Sequence, residues 1–281
     1  METALQAVNL SYSYNSSVNI IEDINLSIND NEFAAIIGRN GSGKTTLLKN
    51  FTGLLRPTSG EIFIRGNNSQ CMSVPEISAE LGFVMQNPDR QLFCDTVYDE
   101  AAFALKHSSI PQNEIHGRVQ EALAVCNLYD AKDSFPPALS RGERAKVVIA
   151  SVLAMGPKII IFDEPAGGQD FQSCQMIMDI AAGLHRKGHT IIFVTHNMSM
   201  ASQYARRIIV MDNKRIVLDG TPEEVFCSRH ELSFITPPQI TRLSRELRKQ
   251  LPLKTESLSV AGLGAMLLAQ EEIEQVPLSA I

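Results

Sequence analysis

Eight consecutive residues, Gly38-Arg39-Asn40-Gly41-Ser42-Gly43-Lys44-Thr45, carry the spacing G-x-x-x-x-G-K-[ST]. That spacing suits capture of a phosphate chain by backbone. Gly41 and Gly43 let successive N–H groups turn inward, and a following helix start adds its positive dipole end. Lys44 reaches the β- and γ-phosphates, and the Thr45 hydroxyl is a ligand for Mg²⁺. The expected binding set is Gly38, Arg39, Asn40, Gly41, Ser42, Gly43, Lys44, Thr45 and Thr46, with ATP and Mg²⁺ as cofactors. A second acidic motif stands at Lys158-Ile159-Ile160-Ile161-Phe162-Asp163-Glu164-Pro165, an apolar run ending in two carboxylates. Asp163 is placed to hold Mg²⁺, and Glu164, one residue on, to polarise an attacking water as general base.

The flanks must position these groups. The apolar stretch 33–37 precedes the phosphate loop and the helix formers 46–49 follow it, the strand–loop–helix order that the loop requires. Further β-rich segments fall near 4–10, 18–28, 61–64, 81–85, 158–162, 190–195, 207–211 and 214–218. Helical periodicity falls at 44–54, 97–106, 114–127, 142–155, 172–187 and 197–204. Closely spaced early strands predict an antiparallel sheet, and the later alternation of strand and helix predicts a parallel one. Residues 97–155 contain no strand signal and read as an inserted helical subdomain, about 96–155 in all. From Pro237-Pro238 onward, Ile240, Leu243, Leu247 and Leu251 recur at helical spacing opposite Arg242, Arg245, Arg248 and Lys249. The expected organisation is a nucleotide-binding domain over 1–235 and an appended helical tail over 236–281.

Between the two acidic and phosphate motifs lies Leu139-Ser140-Arg141-Gly142-Glu143-Arg144, and with it the chain resembles the nucleotide-binding subunits of ABC transporters. Their signature is written LSGGQ; Arg141 and Glu143 depart from it. The other family marks follow in order. Gln86, after the strand 81–85, resembles the Q-loop glutamine, and Ala166-Gly167-Gly168-Gln169-Asp170 the D-loop. His196 resembles the switch histidine, and Tyr14, before Tyr12, the aromatic that stacks on adenine. The resemblance spans about residues 3–225. It implies an α/β phosphate-loop cassette with a mixed or parallel core sheet, an antiparallel β subdomain and a helical subdomain. It also implies that two cassettes pair head to tail. Each ATP then lies between one chain's phosphate loop and the partner's signature, with Ser140, Gly142, Glu143 and Asp170 acting in trans. Glu164, His196, Gln86 and Lys44 would carry catalysis, and Thr45, Gln86 and Asp163 would hold Mg²⁺. Glu143 also completes a helix capping box with Ser140, while Arg141 reads either as a contact to nucleotide or partner or, more simply, as a solvated side chain. His185 and His189 read as surface residues rather than a metal pair, for want of a third ligand.

Two stretches resemble a narrower group, the ATPases of energy-coupling factor transporters: Met85-Gln86-Asn87-Pro88-Asp89-Arg90-Gln91-Leu92-Phe93 and Thr96-Val97-Tyr98-Asp99-Glu100-Ala101-Ala102-Phe103. Pro237 to Leu243 looks like their C-terminal segment, which helps those ATPases dimerise. The resemblance implies integral membrane partners, with Asp89 and Arg90 suited to grip a helix of one of them; a solvated turn, for which Asn-Pro-Asp is good chemistry, is the alternative reading. A soluble ABC ATPase of translation or DNA maintenance is the rival reading, against which stand one phosphate loop and no heptad run. Net charge of −6 argues against nucleic acid as a partner. The 5 cysteines form neither a disulfide framework nor a zinc pattern. No signal-peptide pattern and no membrane-length apolar run is present, so the expected location is peripheral, on the cytoplasmic face of the cell membrane.

Overall fold

The chain opens with β1 (Thr3–Tyr12) and β2 (Ile21–Asn29), whose side chains alternate between core and solvent. In β2, Ile21, Ile24, Leu26 and Ile28 are buried while Asp23, Asn25 and Ser27 are exposed, the pattern of an antiparallel sheet with one wet face. β3 (Phe33–Gly38) is buried at every position, as a strand covered on both faces must be. There follow α1 (Lys44–Phe51), β4 (Ser59–Ile64), the two-residue β5 (Asn67–Asn68), α2 (Val74–Glu80) and β6 (Leu81–Val84). Helices α3 (Val97–Lys106), α4 (Gln112–Val125) and α5 (Arg141–Ala154) then come without an intervening strand. Next are β7 (Ile159–Asp163), α6 (Phe171–Arg186), β8 (Thr190–Val194) and α7 (Met198–Tyr204). The hairpin β9 (Arg207–Asp212)–β10 (Arg215–Gly220) leads to α8 (Pro222–Phe226), α9 (Gln239–Leu247) and α10 (Val260–Glu274). This computed structural model describes residues 2–15, 18–165, 167, 170–227, 234–251, 253 and 255–274, with side chains to 269.

The strands form two sheets, an antiparallel one of order β2-β1-β4-β5 and a six-stranded one of order β10-β9-β3-β8-β7-β6. In the second, β9, β3, β8, β7 and β6 run parallel and only β10 is antiparallel. Two of the closely spaced early segments thus leave the antiparallel sheet: β3 is central in the parallel sheet and β6 is its edge. The reason is burial, since neither shows the one-sided alternation of β2.

Alternate residues of the parallel sheet face two cores. Ala34, Ile36, Ile159, Ile161, Ile192, Val194 and Ile209 pack towards α1 and the antiparallel sheet. Ala35, Ile37, Ile160, Phe162, Phe193, Ile208 and Val210 pack towards the layer of helices α3 to α6. Two short helices, α2 and α8, escape periodicity because they span fewer than two full turns. Their starts were nonetheless written in the chain. Ser73 with Glu76 and Thr221 with Glu224 each form a complete capping box.

In the tail, α9 spans 239–247 and stops short of Leu251, and α10 spans 260–274. The buried face of α9 is polar, Thr241 and Ser244, whereas Leu243 of the apolar stripe is 51% exposed. Arg245 reaches both oxygens of Glu256 at 3.0 Å and the Phe226 carbonyl at 3.1 Å, and Ser257 N–H donates to the Ser244 hydroxyl. These polar links join α9 to the segment before α10 and to the end of α8.

Candidate functional site

The phosphate loop joins β3 to α1, and its glycines are required by close approach as much as by turning. Gly43, the N-cap of α1, has φ 101°. A Cβ there would lie 2.5 Å from the Ile21 side chain and 2.7 Å from the Ile20 carbonyl, so the loop closes against β2 only with glycine. At Gly38 a Cβ would collide with the Met211 carbonyl of β9. Lys44 is buried, and its ammonium donates to the Gly38 and Arg39 carbonyls, each at 2.9 Å. Burial pulls its pKa below the lysine range, opposed by the charges of Glu164 and Asp163. The Ser42 hydroxyl is buried without a hydrogen-bond partner among the described residues, a donor suited to a phosphate oxygen.

Asp163 ends β7, and its carboxylate accepts from the Thr45 hydroxyl at 3.4 Å. Burial, then the neighbouring Glu164 charge, raises its pKa. Two hard oxygen donors side by side, one of them a carboxylate that would gain from a positive neighbour, fit a divalent cation held partly by phosphate oxygens. No cluster of three His, Cys, Asp or Glu that would hold a metal unaided occurs among the described residues.

Glu164 adopts a left-handed conformation, φ 49°, which costs free energy in a non-glycine residue and turns its side chain off the line of β7. Its carboxylate is bracketed. Gln86 Nε2 donates to Oε2 at 2.8 Å, and His196 Nε2 lies 2.7 Å from Oε1. Gln86 follows β6 and His196 follows β8, the two strands that flank β7. The residues on either side of His196, which sequence reasoning passed over, are tied together and to α7. The Thr195 hydroxyl accepts the Asn197 N–H, and the Asn197 side chain caps α7 by accepting from Met200 N–H. The Asn-x-x start of a helical run was the available signal.

A cleft of about 310 Å³ is lined by Ile20, Asn40, Gly41, Gly43, Lys44, Thr45, Thr46, Glu164 and His196. Ile20 was not anticipated. Tyr14 is 58% exposed and does not line this cleft; its ring packs edge-on against Tyr12, 5.0 Å between centroids. Nor do Ser140, Gly142, Glu143 and Asp170 line it. Ser140 caps α5, and Glu143 completes its capping box. Those hydrogen bonds, the Ser140 hydroxyl first, hold the Glu143 carboxyl below its usual range. Asp170 caps α6 by accepting from Ser173. Ala166, Gly168 and Gln169 of the D-loop lie outside the described residues.

Arg141 is exposed, as the solvated reading has it, and its guanidinium also donates to the Gly167 carbonyl at 2.9 Å. Asp89 is ion-paired within the chain, to Arg144 of α5 at 2.8 Å. His185 and His189 each contact a backbone carbonyl, of Asn31 and Pro157.

A family profile described as ABC transporter matches residues 21–167. The energy-coupling factor transporter ATP-binding protein EcfA2 of Caldanaerobacter subterraneus subsp. tengcongensis is 39% identical over 267 residues, 91% of this chain and 93% of that protein. Among solved structures, cbiO1 from Clostridium perfringens, part of the ABC transporter complex cbiONQ, superposes with a TM-score of 0.77 at 32% identity. It covers 90% of this chain and 97% of its own. A dimeric ATP-binding cassette in a post-hydrolysis state with ADP and Pi superposes with a TM-score of 0.68 at 26% identity, covering 78% of this chain and 98% of its own. The chain spans only 39–44% of the length of the first curated relatives it matches, which are putative ABC transporter ATP-binding proteins.

Proposed function

The chain belongs to the ABC transporter family, and from that premise we propose that it binds and hydrolyses ATP to energise uptake through an energy-coupling factor type transporter. The observation that carries the reading is the bracketed carboxylate: Glu164 held between Gln86 and His196, beside a phosphate loop whose lysine and threonine face the same cleft. In this reading the backbone of Gly38 to Thr46 and the Lys44 ammonium take the phosphates, with Tyr14 against adenine. Thr45, Asp163 and the Gln86 amide oxygen hold Mg²⁺, which supplies charge neutralisation on the phosphates. Glu164 accepts a proton from the attacking water, and His196 orients that carboxylate. Ser140, Gly142, Glu143 and Asp170 complete a partner cassette's site, as they lie outside the cleft of their own chain. The dimeric post-hydrolysis cassette supports that pairing.

No helix among the described residues is long and apolar enough to cross a membrane. We assign attachment to the cytoplasmic face to membrane partners, which the resemblance to cbiO1, part of a transporter complex, supports. The exposed Phe93 and Phe103, edge-on at 4.7 Å, offer an aromatic surface for a partner helix. The test is co-purification in mild detergent from cells, with ATPase measured in the isolated assembly. Polytopic membrane proteins and a turnover abolished by Glu164→Gln are expected. Co-purification with ribosomes or DNA, or turnover indifferent to Glu164→Gln, would overturn the reading.

A further inference from the structure

Arg141 stands where the family signature has glycine, and it is the first residue of α5, just after the Ser140 cap. From there its guanidinium spans to the loop after β7 and donates to the Gly167 carbonyl at 2.9 Å. Gly167 N–H in turn donates to the Glu164 carbonyl at 2.8 Å. Gly167 is also packed beneath Gln86, where a Cβ would lie 3.0 Å from the amide nitrogen that holds the Glu164 carboxylate. Two hydrogen bonds therefore run from the start of the signature helix to the catalytic glutamate of the same chain. A glycine at 141 has no side chain to make the first of them.

We propose that Arg141 is a positioning residue that ties the signature helix to the catalytic loop of its own chain, so that occupancy of one nucleotide site is conveyed to the signature offered to the other. The inference rests on the paired-cassette reading above. In that arrangement Glu164 serves the chain's own ATP and Ser140 serves the partner's, so a link between them couples the two sites. A guanidinium suits the task because its planar donors hold a carbonyl at fixed direction, which a flexible ammonium does not. Coupling of this kind needs an element that both sites bias, and α5 is that element.

The experiment is amide hydrogen exchange of the full chain with and without MgATP, at a concentration where light scattering shows single chains, so that no partner protects the signature. Wild type and Arg141→Ala are compared, with Arg141→Gly as a second variant and thermal melting as the folding control. Expected is protection of amides 38–46 by ATP in all three proteins. In the wild type alone, exchange at 143–146 slows by about threefold on ATP binding. Equal slowing in the variants, or none in the wild type, while 38–46 is protected, overturns this inference and leaves the nucleotide reading standing. No protection at 38–46 in any protein overturns both.

Discussion

At the scale of residues, the site concentrates groups that are costly to the unliganded chain. Asp163 is a buried carboxyl beside a second carboxyl, and its pKa is raised above the ordinary 3.8. A raised folded-state pKa contributes stability that is present below the unfolded value and is lost as pH rises through the folded one. Asp163→Asn should therefore stabilise the chain without nucleotide by roughly 0.5–2 kcal/mol at neutral pH. It should also flatten the decline of stability above pH 3.8. Denaturant melts across pH would register this, and the same variant should lose the extra stabilisation that Mg²⁺ adds to ATP. Gly167 makes a sharper case. A Cβ there would crowd Gln86 Nε2 at 3.0 Å, Gln86 Cγ at 3.1 Å and the Glu164 carbonyl at 3.1 Å. Gly167→Ala should slow turnover by about tenfold, through displacement of Gln86, while ATP affinity stays within about twofold. A KM and kcat measurement separates those effects.

At the scale of elements, hydrogen bonds at helix ends fix where the helices start. α5 starts at a capping box, with the Ser140 hydroxyl accepting from Glu143 N–H at 3.3 Å and the Glu143 carboxylate accepting from Ser140 N–H at 2.9 Å. Ser140→Ala should cost about 1 kcal/mol through the lost cap, a shift of a few degrees in Tm. The Asp89–Arg144 pair, with Asp89 about half exposed, ties the segment after the Q-loop to the same helix. Such a pair is worth under about 1 kcal/mol to stability. Asp89→Asn should thus leave the melt unchanged and alter the stimulation of ATPase by membrane partners. In the tail, Glu256 is only 8% exposed at its side chain and is gripped by Arg245. Glu256→Ala removes the carboxylate that both Arg245 and Arg248 reach. It should loosen α9 by about 1–3 kcal/mol, read as faster local proteolysis rather than as an earlier global melt. The apolar stripe of α9 did not foretell this docking, because α9 buries Thr241 and Ser244 and leaves Leu243 outside.

At the scale of the whole molecule, the cleft of one chain lacks the signature residues, so hydrolysis should depend on pairing. Specific activity of the isolated chain is expected to rise with its concentration, and Glu164→Gln should accumulate an ATP-dependent dimer in gel filtration. An activity per chain that is constant with dilution would contradict the shared-site reading. Much of this molecule was legible in the chain itself. The phosphate loop, the acidic end of β7 and the capping box at Ser140 are contiguous segments whose geometry is settled by neighbours a few residues away, through backbone torsion and local hydrogen bonds. Side chains brought together from distant segments were not legible in the same way. Arg141 meeting Gly167, Asp89 meeting Arg144, and the polar face of α9 turning inward each depend on how separate elements pack. The gathering of Gln86 and His196 around the Glu164 carboxylate was decided by strand order. β3, β8, β7 and β6 lie side by side and point the same way. The phosphate loop, His196, Glu164 and Gln86 therefore emerge in sequence along one carboxyl-terminal edge, because parallel strands deliver all their ends to the same side of a sheet.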